Sequence, residues 1–242
     1  TRVRQRMEAV FSWASVGRYR TGDNPARWVD NLKELLPTPA KVAKTSNFAA
    51  LPWQEVPAFM AALARRDGIG ARTLEFAILT AARSKEVRGM VWDEVDLKAG
   101  IWTLPGERMK AGKPHAVPLS AQALAIIEAQ PRVEASPYVF TSNRGKMLSD
   151  MTVSAVCRRM GVDAVPHGFR SSFKDWARNR SSYPDEVSEL CLAHVNSDAT
   201  RAAYARDGLL AQRSRLLKDW ARFCNSPFSE SGEVVNLRER RA

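Results

Sequence analysis

The sequence predicts a mainly α-helical fold with one small antiparallel β-sheet. Three observations predict it. Apolar residues recur at helical spacing through most of the chain, one stretch near the middle breaks into strand-like runs around a Gly- and Lys-rich turn, and no internal repeat organises the remainder. At 242 residues and 45% apolar, the chain can bury one full core with residues left for a smaller second piece. No apolar run approaches a bilayer span and no signal-peptide pattern opens the chain, so a cytoplasmic protein is expected. It opens on Thr1 rather than methionine, which points to a fragment or processed chain. Cys157, Cys191 and Cys224 lack pairing or metal-ligand spacing and read as reduced, buried thiols.

The elements follow in order. Residues 5–15 set Met7, Val10, Phe11 and Ala14 at helical spacing. In NPARWVDNLKELLP, Asn24 reads as the N-cap of a second helix, Pro25 as its first residue and Pro37 as its stop. Residues 37–47, PTPAKVAKTSN, hold two prolines and little apolar content, as a linker does. The chain thus divides into a helical piece (1–36), the linker, a main domain (48–224) and a polar tail (225–242) where periodicity fades and flexibility is expected.

Within the main domain, PWQEVPAFMAALARRDG and ARTLEFAILTAARSKEVRGM each read as one helix. Residues 101–104 and 116–119 form a hairpin around GERMKAGKPH, and Ser120 caps the helix AQALAIIEAQ. YVF at 138–140 is a short strand, and helices follow over about 150–160, 168–180, 184–193, 198–206 and 209–224. In the last of these, Leu209, Leu216, Leu217, Trp220 and Phe223 make one stripe, packed on its own chain or docked on a neighbour; spacing leaves both open.

Charge narrows the partner. Thirty-seven Lys and Arg against twenty-six Asp and Glu give +11 and a pI near 10.0, which suits a polyanion. Residues 1–48 alone carry nine basic and four acidic side chains. No helix pairs a basic face with a bulky apolar one, as a membrane-surface binder would, so nucleic acid is the preferred reading.

Several residue types point to phosphate chemistry. His167 and Arg170, three apart at a helix start, share a face at the end where the helix dipole favours anions. Arg83 follows a buried apolar run, with Glu86 three residues on to orient it by a charge-assisted hydrogen bond. Lys110 lies in the basic hairpin turn between Arg108 and Lys113, and His194 stands ten residues before Tyr204 in LAHVNSDATRAAYAR. Each signal alone has an ordinary alternative: a solvated Arg, a surface ion pair, a solvated turn. Together they supply arginines to clamp a phosphate, histidines and a lysine to move protons, and a tyrosine to attack phosphorus. Acidic residues show no metal-ligand spacing, and no P-loop glycine pattern occurs.

These boxes resemble those of the tyrosine recombinases, and within them the integrases of temperate phages and genomic islands. AARSKEVRGMVWDEVDL is similar to the family's first arginine box, MKAGKPHAVPLS to its lysine hairpin, HGFRSSFKDWA to its H-x-x-R box, and LAHVNSDATRAAYAR to its nucleophile box. The likeness spans about 48–223, with order and spacing in agreement. It implies that Arg83, Lys110, His167, Arg170 and His194 are catalytic and that Tyr204 is the nucleophile. It implies a tyrosine-recombinase catalytic domain over 48–224, preceded over 1–36 by the C-terminal part of a helical core-binding domain. Most of that domain, and any arm-binding domain before it, falls outside this sequence.

The implied function is site-specific recombination. DNA would be cut and rejoined through a 3′-phosphotyrosyl link to integrate or excise a prophage or genomic island, with no metal, ATP or other cofactor. The implied partners are double-stranded DNA attachment sites, a homotetramer on synapsed DNA, a host DNA-bending protein and an excisionase, with no membrane and with the bacterial nucleoid as location. A type IB topoisomerase and an inactive DNA-binding integrase remnant are the two other readings. Lys113 rivals Lys110, but Lys110 lies seven residues before Val117, the family's usual offset. His115 is expected to be structural or a phosphate contact, and Tyr19, Tyr138 and Tyr183 to serve packing.

Overall fold

The computed structural model describes residues 2–37, 48–109, 111–134, 136–194 and 209–227. The chain forms two compact units, Thr1–Asn47 and Phe48–Ala242.

In the first unit, α1 spans Arg2–Val16 and leaves Val3, Met7, Val10 and Trp13 exposed. The expected second helix is not continuous. Asn24 is buried and donates through Nδ2 to Glu8 O (2.8 Å) and Ser12 Oγ (2.9 Å), while its Oδ1 accepts from Ala26 N (3.0 Å). Its side chain is committed to α1 and a local turn, so it cannot cap a helix start. The chain then passes through non-helical Val29 (ψ 138°) and Asp30 (φ 58°), and only Lys33–Leu35 (α2) is α-helical. Tyr19 stacks on Trp13 (ring centroids 5.3 Å) but is 75% exposed, so it packs on the surface and not in a core. Of the expected linker, residues 38–47 lie outside the described residues.

The second unit opens with α3 (Val56–Ala64), α4 (Ile69–Thr80) and α5 (Ser84–Arg88). The single helix expected through 71–90 is two, because Ala81 turns left-handed (φ 52°) and Arg83 is extended (ψ 142°). The run Leu74, Phe76, Ile78, Leu79 is fully inside, so α4 is the central helix. Strands β1 (Val95–Asp96), β2 (Ile101–Leu104) and β3 (His115–Pro118) make an antiparallel sheet in that order, with Trp102 opposite Val117 and Leu104 opposite His115. Trp102 and Leu104 point into the core. The expected strand at 138–140 is only a bridge from Tyr138 to Val91, and Phe140 turns inward against Phe76 (5.4 Å).

Ser120 and Ser149 cap α6 (Ala121–Glu128) and α7 (Asp150–Arg159), each accepting from a backbone N–H (3.2 and 3.3 Å). Helices α8 (Gly168–Arg180), α9 (Asp185–Cys191) and α10 (Leu210–Cys224) complete the unit. The helix expected at 198–206 and most of the expected tail lie outside the described residues. The α10 stripe packs on its own chain: Leu216, Leu217 and Trp220 are buried, and Trp220 meets Trp176 (5.0 Å) and Phe173 (5.5 Å). All three cysteines are free and buried. Among the described residues no helix is long and apolar enough to cross a membrane.

One glycine fixes where α8 begins. A Cβ on Gly168 would lie 2.0 Å from Ala49 O, so only glycine lets the helix start against that backbone. Val165 N donates to Ala49 O (3.1 Å) and Ser172 Oγ to Leu51 O, which fastens α8 to residues 49–51.

Candidate active site

Helix ends converge on one place. The C-termini of α4 and α9 and the N-terminal turn of α8 meet around Arg170, which is 6% exposed. Its Nη1 donates to Ala81 O, just past α4, and its Nη2 to Leu192 O (2.7 Å), just past α9. Both carbonyls are free because each helix has ended. Two negative dipole ends thus hold the guanidinium, and among the described residues no carboxylate pairs with it, so its charge stays available to an anion. Burial first, and then Arg83 nearby, push the Arg170 pKa down to about 10, against the pull of Glu86 and Glu189. At neutral pH it remains a cation.

Arg83 stands at the start of α5. Glu86, 7% exposed, accepts from Arg83 Nη1 (2.7 Å) through one oxygen and from the Arg83 backbone N–H (2.8 Å) through the other. One carboxylate therefore both closes the helix start and aims the side chain. Arg83 Nη2 reaches Ala193 O (3.4 Å), bringing it to the end of α9 beside Arg170. Arg108, at the root of the hairpin turn, donates to Glu86 O and pairs with Glu94, whose other oxygen accepts from Trp102 Nε1 (3.0 Å). The lysine hairpin and the arginine helix are thereby tied together.

His194 reaches the cluster through a left-handed turn. Ala193 has φ 50°, His194 N donates back to Glu189 O (3.0 Å), and Ala193 N to Leu190 O (3.1 Å). That is the Schellman closure of α9, with alanine where glycine is usual. The turn swings the imidazole so that Nε2 lies 3.3 Å from Arg170 Nη2 and Nδ1 lies 2.6 Å from Glu189 Oε2. Glu189 also pairs with Lys174 of α8, which is 8% exposed and bonded to Ser188 Oγ (2.7 Å) and Asp185 (2.8 Å). Burial acts to raise the Glu189 carboxyl, but the bonds from Lys174 and His194 outweigh it and hold the pKa below the usual range.

The other two histidines border the same cluster. His167, just before α8, sits edge-on to Phe48 (4.5 Å). Its pKa is lowered by burial, then by Arg170, Arg83 and His194. His115 on β3 is pushed down to about 4 by burial, then by Arg213, Arg83 and Arg170. Arg213 of α10, 4% exposed, donates to Ala116 O and lies 3.3 Å from His115 Nε2. The buried Cys191 thiol is pushed up to about 11 by burial, against the pull of Arg213. Lys113 is exposed in the hairpin turn. Lys110 and Tyr204 lie outside the described residues.

Arg83, Arg170, His167 and His194 therefore come from three separated stretches to one cationic locus, with Glu86 behind Arg83. Such a locus can clamp the nonbridging oxygens of a phosphate and offer imidazole nitrogens to its ester oxygens. Glu189, Lys174 and Arg213 escaped the sequence reading, and Arg108 stood in it only as a neighbour of Lys110. Arg213 left a trace there: it lies four residues after Leu209 and three before Leu216, on the apolar stripe of α10. Glu189 left none, since residues five apart do not share a face of a regular helix.

Comparison with known proteins gives the chain's family and fold. The model of the phage integrase family matches residues 50–208. The chain is similar to prophage integrase IntZ of Escherichia coli K12, 31% identical over 97% of this chain and 57% of that protein. A dimer of lambda integrase residues 75–356 bound to a COC′ core site shares the fold at a TM-score of 0.55 and 19% identity, over 80% of this chain and 71% of that one. A lambda integrase tetramer bound to a Holliday junction also scores 0.55, at 18% identity, over 81% of this chain and 58% of that one. The chain spans little more than half the length of the first of these relatives.

Proposed function

The chain belongs to the phage integrase family, and from that membership and the geometry above we propose that it is a site-specific DNA recombinase of the tyrosine type. The observation that carries this reading is Arg170: a buried guanidinium held by two helix ends, with Arg83 and His194 beside it. Arg83 and Arg170 would clamp the nonbridging oxygens of a scissile phosphate and stabilise the charge that builds there. Tyr204 would give up its phenolic proton to a base of the site as it attacks phosphorus, forming a 3′-phosphotyrosyl bond while the 5′-oxygen leaves with a proton from Lys110. The 5′-hydroxyl of a partner strand would then displace the tyrosine. Each step exchanges one phosphodiester for another, so no energy source is consumed.

On this reading 48–224 is the catalytic domain and 1–36 the end of a core-binding domain. The partners would be attachment-site duplexes with four protomers in the synapse, and a DNA-bending protein and an excisionase would assist integration or excision of a mobile element. The dimer and tetramer of lambda integrase on DNA support that assembly. The test is a suicide substrate that traps the covalent intermediate. The chain should form a protease-sensitive protein–DNA adduct, and Tyr204→Phe should bind the same DNA and form none. An undiminished adduct in that variant moves the nucleophile elsewhere, and no adduct from the parent chain favours an inactive DNA-binding remnant. A two-site recombined product, as opposed to relaxed circles alone, separates a recombinase from a topoisomerase.

A further inference from the structure

The His194 imidazole is held on both nitrogens, and its two partners dictate the same proton position. Nδ1 lies 2.6 Å from Glu189 Oε2, and an ionised carboxylate only accepts, so Nδ1 carries a hydrogen. Nε2 lies 3.3 Å from Arg170 Nη2, and a guanidinium only donates, so Nε2 accepts. We infer that Glu189 is a positioning residue that fixes His194 with its proton on Nδ1 and turns Nε2, unprotonated in the DNA-free protein, toward the phosphate locus between Arg83 and Arg170.

Glu189 is built for this task. Its second oxygen is taken by Lys174, which is buried and anchored on Ser188 Oγ and Asp185, so the carboxylate cannot swing out to solvent. The ordinary alternative is a plain ion pair joining α8 to α9, with His194 a bystander. Two facts decide against it. Lys174 already has Asp185 (2.8 Å), so the α8–α9 tie does not need Glu189. The left-handed Ala193, a conformation alanine adopts only at a cost, is what brings His194 back over the carboxylate five residues earlier. A carboxylate behind an imidazole orients the ring and selects its tautomer, as it does for histidines that ligate metals.

The consequence for DNA cleavage rests on the recombinase reading, whereas the tautomer does not. Long-range 1H–15N spectra of the three histidines report tautomers directly, and His194→Ala identifies the signal. The His194 signal should show a protonated Nδ1 and a bare Nε2; the reverse pattern overturns the assignment. With suicide DNA, Glu189→Gln should slow single-turnover cleavage by about 10- to 100-fold, the usual cost of removing such a partner, with DNA affinity unchanged. Combined with His194→Ala it should cost nothing more, because Glu189 acts only through that ring. Full additivity of the two losses would return Glu189 to a merely structural role. Should Glu189→Gln not fold, Glu189→Asp keeps the charge but withdraws it by one methylene and should show the same non-additive loss. If the parent chain forms no adduct, the recombinase reading fails, and the spectra still decide the role of Glu189.

Discussion

Acid should unfold the second unit partly through His115. Its pKa falls from an ordinary 6.5 to about 4 in the folded chain, by burial and then by Arg213, Arg83 and Arg170. A base whose folded pKa is depressed contributes stability that is complete above the unfolded value and is lost as pH falls through the folded one. The window is therefore pH 6.5 down to about 4. Linkage across that gap gives a loss of about 2 kcal/mol by pH 5 and about 3 kcal/mol by pH 4. For a unit of this size, each kcal/mol moves the melting midpoint by about 2–4 °C, so about 6–12 °C is at stake.

The perturbation is His115→Gln, whose Oε1 can still accept from Arg213 but which does not titrate. Thermal unfolding of both proteins at pH 7, 6, 5 and 4 is the assay, because His167, Glu189 and Asp185 titrate in both and cancel in the difference. The variant's midpoint should gain about 6–12 °C on the parent between pH 7 and pH 4. Parallel curves would refute the picture of a neutral histidine wedged among arginines. The functional corollary is that His115 is neutral wherever the protein works, so it steadies β3 through Arg213 and adds no charge to a phosphate site.

Two further outcomes are expected. Lys110→Ala should bind DNA yet cleave it about 10²- to 10⁴-fold more slowly, as loss of a general acid does. A bridging 5′-sulfur, which barely needs a proton to leave, should restore most of that rate, and rescue seen in Lys113→Ala but not in Lys110→Ala would reverse the choice of lysine. Arg170→Lys keeps a charge but cannot reach Ala81 O and Leu192 O together and still face His194. It should lose about 10²- to 10³-fold in cleavage, and one orphaned buried carbonyl should cost about 1–3 kcal/mol. An unchanged melting midpoint in that variant contradicts the two-helix seat.

What the sequence concealed follows from how each contact is made. Helices α7, α8 and α10 and the hairpin were legible because their apolar periods are local and their caps or turns stand at the ends. The break at Ala81 was not legible: TLEFAILTAARSKEV carries no glycine or proline, and the left-handed residue is an alanine. That break exposes the carbonyl Arg170 binds, so the seat of the buried arginine was hidden with it. Arg83 and Glu86 were readable as a pair because they are three residues apart on one turn. The Lys174–Glu189–His194 chain was not, since it needs α8 laid beside α9 and a reversal at Ala193. The helix read from Pro25 failed for the opposite reason. Its cap was a sound local signal, overridden when Asn24 turned to α1.

The close seat of Gly168 on Ala49 matters for anyone dividing this chain. A shortened protein beginning at Pro52 would retain almost the whole apolar interior, yet it would lose the strip of backbone that α8 leans on. Val165 and Ser172 would lose their acceptors and His167 its aromatic neighbour Phe48. Such a protein could melt normally and still carry Arg170 on a helix without its doorstop. The same strip begins two residues after the first unit ends. Displacing that strip would therefore act on the arginine-bearing helix through its hydrogen bonds and on the core through Leu51 together.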